Sequence, residues 1–226
     1  MSLLEQRYLA ALDAIANAAK QHNRDVNDIE LIVISKNHDA QLVRDLNALG
    51  QRAFGENRDQ EAKPKAEQTQ DLEDIAWHFV GQLQSNKVKS ALSYSSFLHS
   101  IDRASLVQSL RRELATRTER LGGFIQLNLT DDEGRGGISP GQVIEFAEGL
   151  LDLPNFDLLG VMGVAALDRD PRIDFETIAQ ASERLRGVAP AAKYISAGMS
   201  HDFEQAIEFG ATHLRIGTAI TGNRNL

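Results

Sequence analysis

A lysine at the end of a strand-like segment is the residue of this sequence with the clearest chemistry. Residues 31–36 read LIVISK, and five residues of strand character end in Lys36. A short apolar run rich in β-branched side chains is typical of a strand buried in a parallel sheet. Ligands bind at the carboxyl ends of such strands, where a partly desolvated amine attacks carbonyl carbon. Lys36 is therefore predicted to anchor a ligand as a Schiff base; the alternative is a lysine that only reaches solvent.

Two glycine-containing segments near the end of the chain have the composition of a phosphate site. In ISAGMSHDF, Gly198 allows close backbone approach, and Ser200 is predicted to open a helix whose free N–H groups and dipole favour an anion. In LRIGTAITG, Gly217 and Thr218 follow a predicted strand. Each segment alone is also explained by an ordinary N-cap or turn. Their combination beside a lysine-bearing strand favours phosphate.

Lys36 offers an amine that can bind an aldehyde, and the two glycine-containing segments offer a site that can bind a phosphate. A ligand with both groups is pyridoxal 5′-phosphate (PLP). Arg215 alternates with Leu214 and Ile216 along a predicted strand, so its side chain is expected to point into the mouth of the fold, towards a ring nitrogen. A guanidinium only donates hydrogen bonds, so it would keep that nitrogen unprotonated and weaken the ring as an electron sink. The alternative for Arg215 is a pair with a neighbouring carboxylate.

Eight strand-like segments alternate with helical segments along the chain. The predicted strands are residues 31–35, 52–54, 76–80, 96–100, 124–129, 157–162, 194–197 and 213–216. Helices follow the first seven, and an extra amphipathic helix covers residues 2–21, where Ser2 and Glu5 form a capping box. The pattern predicts the α/β class: a single (β/α)8 TIM barrel domain over residues 1–226, with an extra N-terminal helix and no second domain.

Several helix ends carry recognisable signals. Asp39 and Asp102 are predicted N-caps, and Gly50 is predicted to stop the helix that Asp39 begins. Ser139 and Pro140 have the order expected for an N-cap and the first helical residue.

Composition excludes several classes of protein. Lys and Arg number 24 against 32 Asp and Glu, and the net charge of −8 repels polyanions and anionic membranes. There is no cysteine, hence no disulfide, thiolate nucleophile or cysteine-based metal site. The N-terminal segment lacks the pattern of a signal peptide, and no apolar run is long enough to span a membrane. We expect a cytoplasmic protein without nucleic-acid or membrane partners.

A series of motifs is more specific than any single segment. They are SK at 35–36, FGEN at 54–57, QE at 60–61, WHFVGQLQSNK at 77–87, HSID at 99–102, IQLN at 125–128, GVMG at 160–163, SAGMSHD at 196–202 and LRIGTAITGNR at 214–224. In this order the sequence resembles the PLP homeostasis protein family, the YggS group, also called proline synthase co-transcribed homologues. The resemblance covers nearly the whole chain. It implies a fold similar to the barrel domain of alanine racemase, without the second β-domain of those enzymes.

The resemblance also implies roles for individual residues. Lys36 matches the lysine that forms the internal aldimine with PLP, and Arg215 matches the arginine facing the pyridine nitrogen. Asn57 matches an asparagine near the ring. The remaining matches are Ser200, Gly217 and Thr218 on the phosphate-binding loops, Ser196 and Met199 close by, and His78 and Asn128 on strands that line the pocket.

The sequence departs from the family pattern at a few positions beside these residues. Asn37 and His38 stand where a threonine commonly follows the lysine, Arg58-Asp59 replace a tyrosine-containing pair, Ala197 replaces a methionine and Thr221 a phenylalanine. These changes affect the apolar walls of the pocket and leave the aldimine and phosphate groups in place.

The number of tyrosines bears on whether the protein is an enzyme. A PLP racemase needs acid–base groups on both faces of the substrate Cα, commonly a lysine and a tyrosine. The chain has only Tyr8, Tyr94 and Tyr194, and none is predicted at the barrel mouth. We therefore expect a non-catalytic PLP carrier acting in intracellular PLP (vitamin B6) and amino-acid homeostasis. Its expected partners are PLP and apo PLP enzymes, and its expected state is a monomer.

Two enzymatic alternatives remain open. A PLP-dependent racemase or decarboxylase would need a second catalytic group among His38, His78, His99 and His201, although a structural role is favoured for these histidines. A Schiff-base aldolase for phosphorylated sugars would also use a lysine and a phosphate site, but it would lack the yellow absorption that PLP confers. The first alternative predicts turnover of an amino acid, which a carrier lacks.

Overall fold

A closed barrel of eight parallel strands forms the centre of the fold. The computed structural model describes residues 1–130 and 132–222. Each strand pairs with the next one in the chain, and β8 closes the barrel by pairing with β1. The strands are β1 (Glu30–Ile34), β2 (Ala53–Glu56), β3 (Ala76–Phe79), β4 (Phe97–Ile101), β5 (Leu121–Gln126), β6 (Phe156–Met162), β7 (Tyr194–Ser196) and β8 (His213–Ile216).

Helices surround the barrel and cover its apolar outer face. Those in the described residues are α1 (Leu3–Gln21), α2 (Ala40–Ala48), α3 (Asp59–Gln68), α4 (Val88–Leu92), α5 (Ala104–Leu114), α6 (Val143–Glu148), α7 (Pro171–Val188), α8 (Phe203–Glu208) and α9 (Thr218–Thr221). Short 3-10 turns occupy Val26–Asp28, Ser85–Lys87, Glu133–Arg135 and Pro140–Gln142. The predicted (β/α)8 barrel with an additional N-terminal helix is confirmed.

Most of the predicted helix ends agree with the structure. Ser2 and Glu5 exchange side-chain and backbone hydrogen bonds in a capping box at the start of α1. The Asp39 carboxylate caps α2, and Gly50 follows that helix with a φ of +101°, which favours glycine. Pro140 begins the turn that leads into α6.

The prediction that Asp102 caps α5 is wrong. The residue before the helix is Arg103, and no side chain caps this end. The Asp102 carboxylate instead pairs with the Arg103 guanidinium at 2.6 Å and accepts a hydrogen bond from the Gly137 N–H at 3.3 Å. Asp102 therefore ties the loop after β4 to the loop after β5, because an ion pair and an N–H from another loop compete with the helix for the same carboxylate.

The largest strand error concerns β5, which begins three residues earlier than predicted. Gly122 and Gly123 lie inside this strand and not before it. A Cβ atom on Gly122 would lie 2.6 Å from the Phe97 ring, and one on Gly123 would lie 2.4 Å from the Phe156 ring. The two glycines therefore make room for large rings on both faces of the strand.

The inner and outer faces of the strands differ in chemistry. The outer face and the helices share one large apolar core, which includes Val33, Phe54 and Trp77. Inside the barrel, Ile32 and Ile34 belong to a separate small apolar cluster. Barrel interiors of this fold are usually filled by branched aliphatic side chains, so the polar residues found inside this one need an explanation.

Candidate functional site

Lys36 lies in the turn that follows β1, at the carboxyl end of the barrel. The strand ends at Ile34, and the Lys36 side chain is exposed. The expectation of a partly desolvated amine is therefore wrong, because the turn carries the side chain beyond the buried end of the strand. No hydrogen bond or ion pair joins the Lys36 side chain to any described residue. The amine is accessible to a ligand entering the barrel mouth.

The turn that carries Lys36 is held by two buried charged residues. The Ser35 hydroxyl donates to Glu56 Oε1 at 2.7 Å, and Lys65 Nζ donates to the Ser35 carbonyl oxygen at 2.8 Å. Lys65 also forms an ion pair with Glu56 Oε1. Both side chains are almost fully buried. The backbone just before Lys36 is therefore fixed by the end of β2 and by α3.

A second contact fixes the backbone just after the lysine. Asn37 has a φ of +65°, and its N–H donates to Glu61 Oε2 at 3.0 Å.

The buried Glu56 carboxyl has a shifted pKa. Burial raises the pKa of Glu56, although Lys65 and Ser35 oppose the effect. Sequence reasoning missed this arrangement, because no local pattern connects these residues.

The predicted phosphate residues meet at the carboxyl ends of β7 and β8. Ser200 Oγ accepts a hydrogen bond from the Ala219 N–H at 3.3 Å, and the Thr218 hydroxyl donates to the same oxygen at 3.4 Å. Gly217 precedes Thr218 and is half-buried. The structure therefore joins the two loops that the sequence assigned to a phosphate.

The prediction that Ser200 opens a helix is wrong. α8 begins at Phe203, and Ser200 lies in the preceding loop. The Met199 N–H, near this site, donates to Asp202 Oδ1 at 2.6 Å. Asp202, and not Ser200, accepts the hydrogen bond that shapes the turn before α8. The Ser200 hydroxyl contacts the loop after β8 instead.

The phosphate loops adjoin the strand that leads to Lys36. β8 pairs with β1 in parallel, with Ile216 opposite Val33. A Cβ atom on Gly217 would lie 3.4 Å from the Ile34 Cβ atom, so the backbone of the two strand ends packs closely. The turn that carries Lys36 and the loop that carries Thr218 are consequently neighbours at the mouth.

Arg215 is buried just below this part of the mouth. One guanidinium nitrogen, Nη1, donates to Ser196 Oγ at 2.5 Å, and Nη2 donates to the Gly163 carbonyl oxygen at 2.9 Å. No carboxylate pairs with Arg215 in residues 1–130 and 132–222. The alternative of a carboxylate partner is therefore wrong for this part of the chain. Burial lowers the pKa of Arg215 to about 10, with Asp202 opposing, so the side chain is charged at neutral pH.

Ser196 connects Arg215 to two buried histidines. His99 Nδ1 lies 2.8 Å from Ser196 Oγ, and His99 Nε2 lies 2.9 Å from His78 Nδ1. The imidazoles stack on Phe97 and Phe124, with ring centroids 4.3 and 4.5 Å apart. Ser196 and His78 therefore belong to the barrel interior, below the mouth.

Both interior histidines are neutral at physiological pH. Burial lowers the pKa of His78 to about 3. Burial, followed by the influence of His78 and Arg215, holds the pKa of His99 well below its usual value. Neither imidazole is poised to exchange a proton near neutral pH.

We expect acid to destabilise the protein through these histidines. An unfolded histidine has a pKa of about 6.5, so between pH 6.5 and pH 5 the unfolded state binds more protons than the folded state. The stability present above pH 6.5 is lost as the pH falls towards the folded-state pKa. At about 1.4 kcal/mol per pH unit, His78 alone contributes a loss of about 2 kcal/mol at pH 5. Urea unfolding at pH 7 and pH 5 measures this change.

A pair of variants isolates the contribution of His78. The His78→Phe variant should show a pH dependence weaker by about 2 kcal/mol, whereas His201→Gln, at an exposed position, should keep the wild-type dependence. Equal pH dependence in wild type and His78→Phe would show that His78 does not titrate on unfolding.

The two predicted asparagines lie in different parts of the mouth. Asn57 follows β2 and lines a cavity of about 790 Å³ among the loops after β2 to β5. Asn128 was predicted to lie on β5, but this strand ends at Gln126 and Asn128 lies in the following loop. Its amide donates to the Asp132 carbonyl oxygen at 2.9 Å and accepts from the Thr130 N–H at 3.0 Å, so it shapes its own loop.

None of the three tyrosines bonds to the turn that carries Lys36 in the described residues. The hydroxyls of Tyr8 and Tyr94 donate to Gln51 and Asp59, at 3.2 and 3.3 Å. Tyr194 is the first residue of β7, at the end of the barrel opposite the mouth. Asp59 also lines the cavity that contains Asn57, so the Tyr94 hydroxyl is bonded to a carboxylate at the edge of the mouth.

The described residues lack the usual patterns of metal ligands and of membrane-spanning helices. Among residues 1–130 and 132–222, no three His, Cys, Asp or Glu side chains are grouped so that they could hold a metal ion. Within the same residues, none of the helices combines the length and apolarity that crossing a membrane requires. The Lys36 amine, the Ser200 and Thr218 hydroxyls and the carboxylates of Asp59, Glu61 and Asp102 lie at the carboxyl end of the barrel.

Comparison with known proteins assigns the chain to a family. The family model for the alanine racemase N-terminal domain matches residues 10–225. The pyridoxal phosphate homeostasis protein of Aquifex aeolicus is 35% identical over 223 residues, which is 97% of each chain. That of Escherichia coli is 34% identical over 218 residues, which is 94% of this chain and 93% of the other. The chain belongs to the pyridoxal phosphate homeostasis protein family.

Solved structures agree with this membership in the pyridoxal phosphate homeostasis protein family. PipY of Synechococcus elongatus, solved with PLP bound, is 33% identical and has a TM-score of 0.81, over 92% of this chain and all of that one. The alanine racemase of Corynebacterium glutamicum has a TM-score of 0.70 at 16% identity, over 95% of this chain and 62% of the enzyme, which shows the shared fold. The resemblance found in the sequence is confirmed. Two residues of its last motif, Asn223 and Arg224, lie outside the described residues.

Proposed function

We propose that this protein binds PLP and takes part in intracellular PLP and amino-acid homeostasis. The observation that carries this function is the buried Arg215 guanidinium, which has no carboxylate partner in the described residues and lies on the strand next to the one that leads to Lys36. A buried charge without a counter-ion is costly, and such groups are concentrated at functional sites. The names of the related proteins and the PLP-bound PipY structure support the same ligand.

The groups at and below the mouth fit the aldehyde, the ring nitrogen and the phosphate of PLP. PLP supplies an aldehyde that condenses with primary amines. In our proposal, the Lys36 amine holds this aldehyde carbon covalently, and Arg215 donates a hydrogen bond to the ring nitrogen. The Ser200 and Thr218 hydroxyls, with the backbone after Gly217, hold the phosphate. Asn57 approaches the ring from the loop after β2.

We further propose that amino-acid turnover is not an efficient activity of this protein. A racemase needs a proton donor opposite the lysine, but the Tyr8 and Tyr94 hydroxyls have other partners and Tyr194 lies at the far end of β7. The His78 and His99 imidazoles are buried and hydrogen-bonded to each other, so neither serves as this donor. In this function the protein is a cytoplasmic monomer, and its partners are PLP itself and apo PLP enzymes.

An absorption spectrum of the protein incubated with PLP tests the function. We expect a yellow species that saturates at one PLP per chain and stays bound after removal of free PLP, whereas incidental reaction with surface lysines would not saturate at this ratio. The measurement is then repeated with a panel of amino acids, and we expect no sustained change in amino-acid concentration or configuration. Failure to take up stoichiometric PLP would disprove binding, and steady turnover of one amino acid would favour the racemase or decarboxylase alternative.

The Ser200→Ala variant tests the phosphate contact. We expect its Kd for PLP to rise about tenfold, because a hydrogen bond to a charged group contributes about 1.5 kcal/mol or more. Pyridoxal, which lacks the phosphate, is the matched control ligand and should bind wild type and variant equally. Titration of both proteins with both ligands gives the four constants. Equal losses for PLP and pyridoxal would contradict a phosphate contact at Ser200.

A further inference from the structure

A continuous chain of hydrogen bonds runs through the barrel interior and ends on Arg215. Arg215 bonds to Ser196 at 2.5 Å, and Ser196 bonds to His99 at 2.8 Å. His99 then bonds to His78 at 2.9 Å. All four side chains are buried. Polar groups in a core are stable only when they are hydrogen-bonded, so each member of the chain depends on its neighbour.

The donors and acceptors fix the direction of this chain. A guanidinium can only donate, so Ser196 Oγ accepts from Arg215, and the single hydroxyl proton of Ser196 is free to donate to His99 Nδ1. A neutral imidazole carries one proton, which in His99 must then lie on Nε2 and point at His78. This direction leaves one buried group without a partner among the described residues, the His78 Nε2–H. The reverse direction would leave two, the Ser196 proton and the unprotonated His78 Nε2. His99 is therefore the acceptor that orients the Ser196 hydroxyl.

The Arg215 guanidinium is held at two points, and only one of them is backbone. Nη2 donates to the Gly163 carbonyl oxygen after β6, and Nη1 donates to the Ser196 hydroxyl. A hydroxyl rotates about its C–O bond, so its lone pairs face Arg215 reliably only if its proton has a fixed acceptor. His99 Nδ1 supplies this acceptor. Two fixed points set the plane of a guanidinium, whereas a single point leaves it free to turn.

We propose that His99 is a positioning residue that, through Ser196, fixes the orientation in which Arg215 meets a ligand at the barrel mouth. This role rests on the proposed function, because the ligand whose ring nitrogen Arg215 meets is PLP. His99 does not touch the ligand itself. It acts from the barrel interior.

Two substitutions of His99 separate positioning from packing. His99→Phe keeps an aromatic ring against Phe124 but removes the acceptor for Ser196. His99→Asn loses the ring but can place an amide oxygen near the position of Nδ1. Ser100→Ala is the matched control, because Ser100 is a buried hydroxyl on the same strand with no hydrogen-bond partner among the described residues.

The experiment measures PLP affinity and the absorption band of the bound PLP for these variants, after circular dichroism has confirmed that each is folded. We expect His99→Phe to raise the Kd about tenfold and to shift the band, since a charge-assisted hydrogen bond is misdirected. The Kd of His99→Asn should remain within about threefold of the wild-type Kd, and the Kd of Ser100→Ala should equal the wild-type value. Wild-type binding by His99→Phe, or equal losses in both His99 variants, would overturn the positioning role.

A measurement without PLP distinguishes failure of this role from failure of the proposed function. Imidazole ¹⁵N chemical shifts of the ligand-free protein report which ring nitrogen carries the proton. We expect His99 to be neutral with its proton on Nε2, and a proton on Nδ1 would overturn the proposed direction of the chain. If wild type does not bind PLP, the proposed function fails, and the ¹⁵N shifts still decide how His99 and Ser196 are bonded.

Discussion

Replacing Lys36 with alanine is expected to abolish the borohydride-reducible adduct between this protein and PLP. Lys36 follows β1, the strand paired with the one that leads to Thr218, so no other lysine should replace it at stoichiometric yield. The fold should remain intact, because the exposed side chain makes no hydrogen bond or ion pair with the described residues. Borohydride reduction followed by peptide mass spectrometry measures the yield and the position of the adduct.

Lys63→Ala provides the control for this experiment. Lys63 is an exposed lysine on α3, and the variant should form the adduct as wild type does. Thermal unfolding should show little difference between the three proteins. A full-yield adduct in Lys36→Ala, or a wild-type adduct mapped to Lys63 or Lys87, would show that the site has been assigned to the wrong amine.

The Lys65→Met variant is expected to unfold with a free energy about 3–5 kcal/mol lower than wild type. Lys65 is buried, pairs with Glu56 and donates to the Ser35 carbonyl oxygen at 2.8 Å. Removing one partner of a buried ion pair leaves the other charge uncompensated in a medium of low polarity. Partial protonation of Glu56 would reduce the loss, since burial already raises its pKa. Urea unfolding at pH 7 measures the difference.

Two further variants define what Lys65 contributes. Lys63→Met, two positions away on the exposed side of α3, should change the free energy of unfolding by no more than about 0.5 kcal/mol. Adding Glu56→Gln to Lys65→Met should recover much of the loss, because no unpaired charge then remains buried. If Lys65→Met and Lys63→Met are equally stable, the buried pair has no measurable role in holding the turn before Lys36.

The fold class and the grouping of the site depended on information that the sequence carries locally. Alternating apolar strands and amphipathic helices give a (β/α)8 barrel, and closure makes the eighth strand a neighbour of the first. Lys36 and Gly217 each follow one of these strands, so their proximity followed from strand order alone. The family motifs added the expected ligand. These features were predictable because strand period, helix period and chain order are all properties of neighbouring residues.

The tertiary structure alone decided how side chains are supported around the site. His99 and Ser196 are 97 positions apart in the chain, yet their side chains share a hydrogen bond inside the barrel. Lys65 lies beneath the turn of Lys36, and Lys36 itself is exposed, contrary to expectation. Side-chain direction, burial and long-range partners arise only when the strands close and the loops pack. Local periodicity identifies the strand on which a residue lies, but it contains no information about which distant polar group completes its hydrogen bonds.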